Sequence, residues 1–333
     1  PRSTPKPSSA ASDVYKRQIM DKDKLSNIAK KLVAPYKGIL AADESNPTIK
    51  KRFDSIDIES TENNRRDYRE LLFSTKGIED YISGIILYEE TLYQKSSKGQ
   101  LLSELLQSKD VIPGIKVDKS AKDFIGFPGE KITEGLDGLY DRMKNFHDDG
   151  ARFSKWRAVI TIGDQIPSAQ CIELNAVFLA RYAITSQEAG LVPIVEPEVL
   201  MDGEHSINSC YEVTNKTLIE VFNQLDKHKV NLSGILLKPN MILPGTNSSQ
   251  KIDNKEIAEM TIKCLKESVP AEIPGIAFLS GGQSERDATK NLNLINIHNN
   301  TNFIMTYSYG RALQQSALKF WSKNIKDVEN TQK

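Results

Sequence analysis

Cysteine, histidine and tryptophan are scarce in this chain, at three, four and two among 333 residues. The cysteines, Cys171, Cys210 and Cys264, are odd in number, widely spaced and free of any CxxC pairing. That excludes a disulfide framework, and each falls in a helix-like stretch where a buried, reduced thiol is expected. The histidines, at 147, 205, 228 and 298, show no metal-ligand spacing. No metal is therefore expected in the mechanism. Excess charge of either sign is also missing, since Lys plus Arg and Asp plus Glu both count 44. A balanced chain has no broad electrostatic footprint for nucleic acid or an anionic membrane, so anion binding would need a local cluster. No apolar run approaches the length of a bilayer span, and no GxGxxG turn marks a dinucleotide site.

What remains is an ordinary globular composition, 39% hydrophobic and 26% charged. Short apolar runs recur at fairly even intervals, at 38–43, 82–87, 113–118, 153–160, 192–195, 234–238, 275–280 and 302–307. Helical patterns separate them at 62–74, 136–148, 169–189, 209–228, 254–268, 285–295 and 311–322. Gly190, just past the long central helix, suits a left-handed cap. Eight strands alternating with helices, without a break in composition, predict an α/β fold: one closed (β/α)8 TIM barrel spanning 20–322. An open doubly wound sheet is the alternative, and the missing glycine turn speaks against it.

In such a barrel the active site lies at the C-terminal ends of the strands. Those ends carry Asp43-Glu44-Ser45, Lys116 and Asp118, Lys155 and Arg157, Glu196-Pro197-Glu198, Lys238, Ser280-Gly281-Gly282, and Ser308-Tyr309-Gly310-Arg311. Lys238 ends the apolar run Gly234-Ile235-Leu236-Leu237, and Pro239 denies the strand its next ladder bond. A desolvated amine there has a lowered pKa and can attack a carbonyl to form a Schiff base. A lone lysine at this position is equally a surface group capping a strand. Its company favours chemistry. Lys155 and Arg157 are two apart and share a face, as do Glu196 and Glu198. Lys155 is the expected second ammonium near Lys238. The Glu pair reads either as general acid/base groups or as a structural ion-pair network with the lysines.

Ser280-Gly281-Gly282 and Gly310-Arg311 each precede a predicted helix, where glycine amides, a helix N-terminus and a guanidinium suit a phosphate. Loops after the seventh and eighth barrel strands commonly do this. Ser45, Thr48, Lys51, Arg52 and Lys116 form a second anion-friendly rim. Phosphates at both ends of a substrate, with a carbonyl between, would fit that layout.

The runs Ile39-Leu40-Ala41-Ala42-Asp43-Glu44-Ser45, Gly114-Ile115-Lys116-Val117-Asp118, Lys155-Trp156-Arg157 and Val195-Glu196-Pro197-Glu198 resemble class I fructose-1,6-bisphosphate aldolases. So do Leu236-Leu237-Lys238-Pro239-Asn240-Met241, Phe278-Leu279-Ser280-Gly281-Gly282-Gln283-Ser284 and Ser308-Tyr309-Gly310-Arg311-Ala312-Leu313. The resemblance runs in order from about Leu25 to Trp321. It implies a metal-independent lyase that reversibly cleaves fructose 1,6-bisphosphate to dihydroxyacetone phosphate and glyceraldehyde 3-phosphate, in glycolysis and gluconeogenesis. It further implies Lys238 as Schiff-base lysine and Glu196 as main general acid/base, with Asp43, Lys155 and Glu198 assisting. By the same carry-over, Ser280, Gly281, Gly282, Ser308 and Arg311 hold the C1 phosphate, with Gly310 beside them. Ser45, Thr48, Arg52 and Lys116 meet the C6 phosphate, and Arg157 belongs with the substrate-binding set. No cofactor beyond the lysine is implied. A homotetramer, sugar-phosphate ligands and a cytoplasmic setting are. A barrel used as a scaffold, for example on cytoskeletal actin, stands as the alternative function, and another Schiff-base lyase as a third.

Two departures from the family pattern stand out. Asn46-Pro47-Thr48 replaces the commoner Thr-Gly-Ser or Thr-Gly-Thr, and Pro47 is expected to stiffen that loop. Family members continue past the Trp321 region to a tail ending in Tyr, whereas 323–333 reads as the start of such a tail cut short. Residues 1–19, rich in Pro, Ser and basic groups, read as a non-native head with Met20 as the start. Their other reading is the stub of a transit peptide, which would place the protein in a plastid.

Overall fold

The computed structural model describes residues 23–323, 325 and 327–332. The head at 1–19, with both of its readings, lies outside them. Eight parallel strands close into a barrel: β1 (Gly38–Ala42), β2 (Ile82–Leu87), β3 (Ile112–Lys116), β4 (Phe153–Ile160), β5 (Val192–Val199), β6 (Leu236–Leu237), β7 (Ile276–Phe278) and β8 (Met305–Tyr309). Each pairs with its sequence neighbours, and β8 pairs with β1 through Ile39 opposite Ser308. The fold is the (β/α)8 barrel that the alternation predicts. A small antiparallel hairpin, Ala121–Asp123 with Lys131–Thr133, is added after β3.

Two apolar layers hold the barrel. Helices pack on its outside, among them Ala169–Glu188, capped by Ser168, and Ile207–Lys227, capped by Ser206. Gly190 follows the first of these at φ 84, the left-handed cap expected of it. The inner layer fills the lower half of the barrel with Ile39, Ile86, Phe153, Ile194, Leu236 and Ala277. A helix over 23–32 closes that end, inserting Leu25, Ala29 and Leu32 among them. Gly114 gives the Phe153 ring its place, because a Cβ there would sit 2.3 Å from the ring. All three cysteines are buried and free, as expected.

Several predicted boundaries shift for identifiable reasons. β6 is two residues long, since Leu232–Gly234 winds into a 3₁₀ turn before it and Pro239 follows soon after. β5 runs on past the expected end at 195, through Glu196-Pro197-Glu198 to Val199, all of it buried. Residues 46–48 are the first turn of a helix, Asn46–Asp54, not a stiffened loop. Pro47 fits there because the first helical turn makes no use of its missing N–H. Beyond Trp321 a short helix, Val328–Gln332, rests on the helix Glu62–Phe73, with Gln332 Nε2 donating to Leu71 O at 2.7 Å.

Candidate active site

Side chains alternate along a strand, so each inward position is two residues from the next. Followed upward, these positions change from apolar to ionisable within one step. On β4 they read Phe153, Lys155, Arg157; on β5, Val192, Ile194, Glu196, Glu198; across the end of β6, Leu236, Lys238. On β1 the same stride passes Ile39 and Ala41 to reach Asp43. The apolar plug therefore ends where the charges begin.

At that level Glu196 lies between two lysines. Its Oε1 is 3.1 Å from Lys238 Nζ, and its Oε2 is 3.4 Å from Lys155 Nζ. Lys155 Nζ also meets Asp43 at 2.7 Å and Asp118 at 4.0 Å. Lys155, Glu196 and Lys238 are each at most 4% exposed. Burial alone would lower the Lys155 amine, but the carboxylates of Asp43, Glu196 and Asp118 outweigh it and hold the amine well above the usual lysine range. Burial would likewise raise Asp43, yet Lys155 and then Lys238 hold its carboxyl well below the usual carboxylate range. Lys155 is therefore a fixed ammonium engaged by three carboxylates, and it shares Glu196 with Lys238.

The paired glutamates take separate partners. Glu196 serves the lysines, while Glu198 accepts from Arg157 Nε. Burial would lower the Arg157 guanidinium, and Glu198 more than reverses this.

Every residue singled out from sequence lines one of two hollows that join over Lys238, Glu196, Arg157 and Arg52. The larger, of about 710 Å³, takes in Ser280, Gly281, Gly282, Ser308, Gly310 and Arg311, as well as Glu198. Gly281 has φ 59, which favours glycine, and Arg311 donates to its carbonyl. The Ser308 hydroxyl is buried and has no hydrogen-bond partner among the described residues. The two helices start where the sequence placed them, at 285 and 311, but their first turns differ. Glu285–His298 begins beyond the glycines and is already capped by Ser284, whose side chain accepts from Asp287 N. The helix Arg311–Trp321 starts directly at Arg311 with no side-chain cap, although Leu313 N donates to Gly310 O at 3.1 Å.

The smaller hollow holds Asp43, Ser45, Thr48, Lys116 and Lys155. Ser45 and Thr48 hydroxyls lie 3.0 Å apart, and Lys116 Nζ meets Asp118 at 2.9 Å. Lys51 lines the larger hollow instead. Arg52 is presented by Glu44, a buried carboxylate that also takes Arg69 Nη2 at 3.3 Å and Gln314 Nε2 at 3.1 Å. Gln314 in turn donates to Ala41 O at 2.7 Å. Sequence reasoning missed Arg69 and Gln314. Their only signal is a charged and an amide side chain on otherwise apolar helix faces.

The arrangement places Lys238, Glu196 and Lys155 in contact on a buried floor, with cationic and glycine-rich rims on either side. The residues 24–333 match the family model for class I fructose-bisphosphate aldolase. The chain is 51% identical over 306 residues to a probable class 1 fructose-bisphosphate aldolase of Xanthomonas campestris, covering 92% of each protein. It is 53% identical over 300 residues to cytosolic fructose-bisphosphate aldolase 4 of Arabidopsis thaliana, covering 90% of this chain and 76% of that one. Among solved structures, a Plasmodium falciparum fructose-bisphosphate aldolase, bound to TRAP and a small-molecule inhibitor, superposes with a TM-score of 0.92 at 47% identity, covering 94% and 91% of the two chains. On the strength of these matches and of the barrel that carries the charged floor, the chain belongs to the class I fructose-bisphosphate aldolase family, the metal-independent lyases of that name.

Proposed function

We propose that this chain cleaves fructose 1,6-bisphosphate reversibly into dihydroxyacetone phosphate and glyceraldehyde 3-phosphate, through a Schiff base on Lys238. The observation that carries the residue assignment is the Glu196 carboxylate in reach of both Lys238 and Lys155 on a buried floor. Lys238 Nζ adds to the C2 carbonyl, and loss of water leaves an iminium. The iminium withdraws the electron pair released when C3–C4 breaks. Glu196 is the proton carrier, being in contact with the amine. Lys155 and Asp43 form a fixed ion pair that holds charge close to the reacting carbons, and Glu198 orients Arg157 toward the substrate. The C1 phosphate is assigned to Ser280, Gly281, Gly282, Ser308, Gly310 and Arg311, supported by the helix start without a side-chain cap and the unpartnered Ser308 hydroxyl. The C6 phosphate is assigned to Ser45, Thr48, Arg52 and Lys116. A homotetramer and a cytoplasmic setting complete the reading, the latter supported by cytosolic relatives of Arabidopsis.

Cleavage assays on the purified chain and on Lys238→Met test it. Turnover of the bisphosphate by the parent and its loss in a folded variant are expected. Equal turnover by both would overturn the assignment.

A further inference from the structure

Glu196, Glu198 and Lys238 lie where the backbone ladder between β5 and β6 runs out. Leu236 and Leu237 pair with Ile194 and Val195, and the last ladder bond runs from Lys238 N to Val195 O at 2.8 Å. Successive residues of a strand turn their N–H and C=O groups to opposite edges, so every second residue of β5 faces β6. Pro197 is next on that edge after Val195 and has no N–H to give. Pro239, one residue past Lys238, faces the other edge of β6, where its carbonyl accepts from Leu279 N at 3.1 Å. The next donor on the β5 edge is Val199 N, which gives its hydrogen bond to the side chain of Asn240, to Oδ1 at 3.0 Å.

Asn240 is 6% exposed and uses its amide in both directions. Its Nδ2 donates to Thr214 Oγ1, on the helix Ile207–Lys227, at 3.1 Å, and to Met241 O at 3.1 Å. Thr214 is itself buried. The side chain thus stands in for the missing ladder bond and anchors it to an outer helix. Together with the Lys238 backbone bond it closes a clamp around Glu196, Pro197 and Glu198 on one strand and Lys238 and Pro239 on the other. The 3.1 Å contact between Lys238 Nζ and Glu196 lies inside that clamp.

We propose that Asn240 is a positioning residue for the reaction, setting the separation of the Lys238 amine from Glu196 and Glu198 by taking up the ladder that Pro197 interrupts. The proposal rests on Lys238 being the nucleophile. Asn240 touches neither substrate nor reacting atoms, so it acts on the chemical steps and not on phosphate binding. A misplacement of about 1 Å at such a centre costs on the order of a hundredfold in rate.

The test is steady-state cleavage of fructose 1,6-bisphosphate by the full chain, with thermal melting of each variant and borohydride trapping with dihydroxyacetone phosphate. Asn240→Ala should lower kcat by about ten- to a hundredfold with KM within about threefold, and slow trapping on Lys238 in parallel. Thr214→Val, which keeps the Val199 bond but releases the amide from its helix, should lower kcat by about three- to tenfold at unchanged KM. This second variant decides the matter if the first does not fold. A kcat within twofold of the parent for a folded Asn240→Ala, or for Thr214→Val, overturns the proposal, as does a loss that falls on KM. Trapping absent from the parent, or mapped to another lysine, would instead remove the assignment of Lys238 and leave the clamp without a reaction to serve.

Discussion

The lower and upper halves of the barrel are built by the same strands with the same alternation, and they do opposite things. Below, inward positions are Ile39, Phe153, Ile194 and Leu236, packed against Leu25, Ala29 and Leu32 of the closing helix. Two or four residues further along the same faces stand Asp43, Lys155, Glu196 and Lys238. The lower half gains stability from area removed from water, with no partner to choose. The upper half has desolvated charges whose cost is met only by one another. Pairing there fixes geometry more than it adds stability. The plug matters to the site because it closes the barrel directly beneath the ions.

Substitutions on either side of that boundary should separate the two roles. The largest effect is expected of Lys238→Met, a loss of cleavage of about 10⁴-fold or more with little change in melting, because nucleophile loss removes the covalent route. Lys155→Met should lower both measures. It leaves Asp43, Glu196 and Asp118 without their shared cation, which costs about 3–5 kcal/mol in denaturant unfolding. Restored stability in a double variant with Asp43→Asn would tie the loss to that charge. Leu32→Ala, fully buried in the plug, should cost about 2–5 kcal/mol in the same unfolding experiment. Its folded fraction should keep the parental kcat, and a kcat reduced out of proportion would break the division of roles.

A subtler contrast is in pH dependence. Asp43 is depressed below its ordinary value of 3.8, so its contribution is present above that pH and lost as pH falls toward the native value. Lys155 is raised above 10.5, so its contribution is complete below that pH and lost as pH rises through the native value. Melting of the parent minus melting of Asp43→Asn should therefore be flat between these limits and shrink in acid. Leu32→Ala should show no such pH-dependent difference. The smallest effect expected is at Cys171, where burial and then Glu130 push the thiol up to about 12. Alkylation of that thiol in the folded protein at neutral pH should be slow, and unfolding should release it.

Much of this was legible in the sequence, because the code for the upper half is local. A step from apolar to ionisable at the end of a short run marks a strand entering the site, and Asp43, Lys155 and Lys238 all announce themselves so. The strand at 192–195 is expected too short, because charge and proline in Glu196-Pro197-Glu198 mark a strand's end while the burial that compensates them comes from other strands. Asn46-Pro47-Thr48 misled similarly, since a proline suits a helix start as well as a loop. Gln314 and Arg69 were missed because what defines them is Glu44, which lies 270 positions from the first and 25 from the second. Asn240 stood within a matched motif, but its role depends on a proline of another strand, Pro197, and on the free donor of Val199 beyond it.

The central claim is that the charged upper half exists to make Lys238 a covalent participant. Reduction with borohydride in the presence of dihydroxyacetone phosphate, followed by peptide mapping of the full chain, tests it most directly. The account predicts a single adduct on Lys238. An adduct on Lys155 or another lysine, or none while cleavage proceeds, would contradict it.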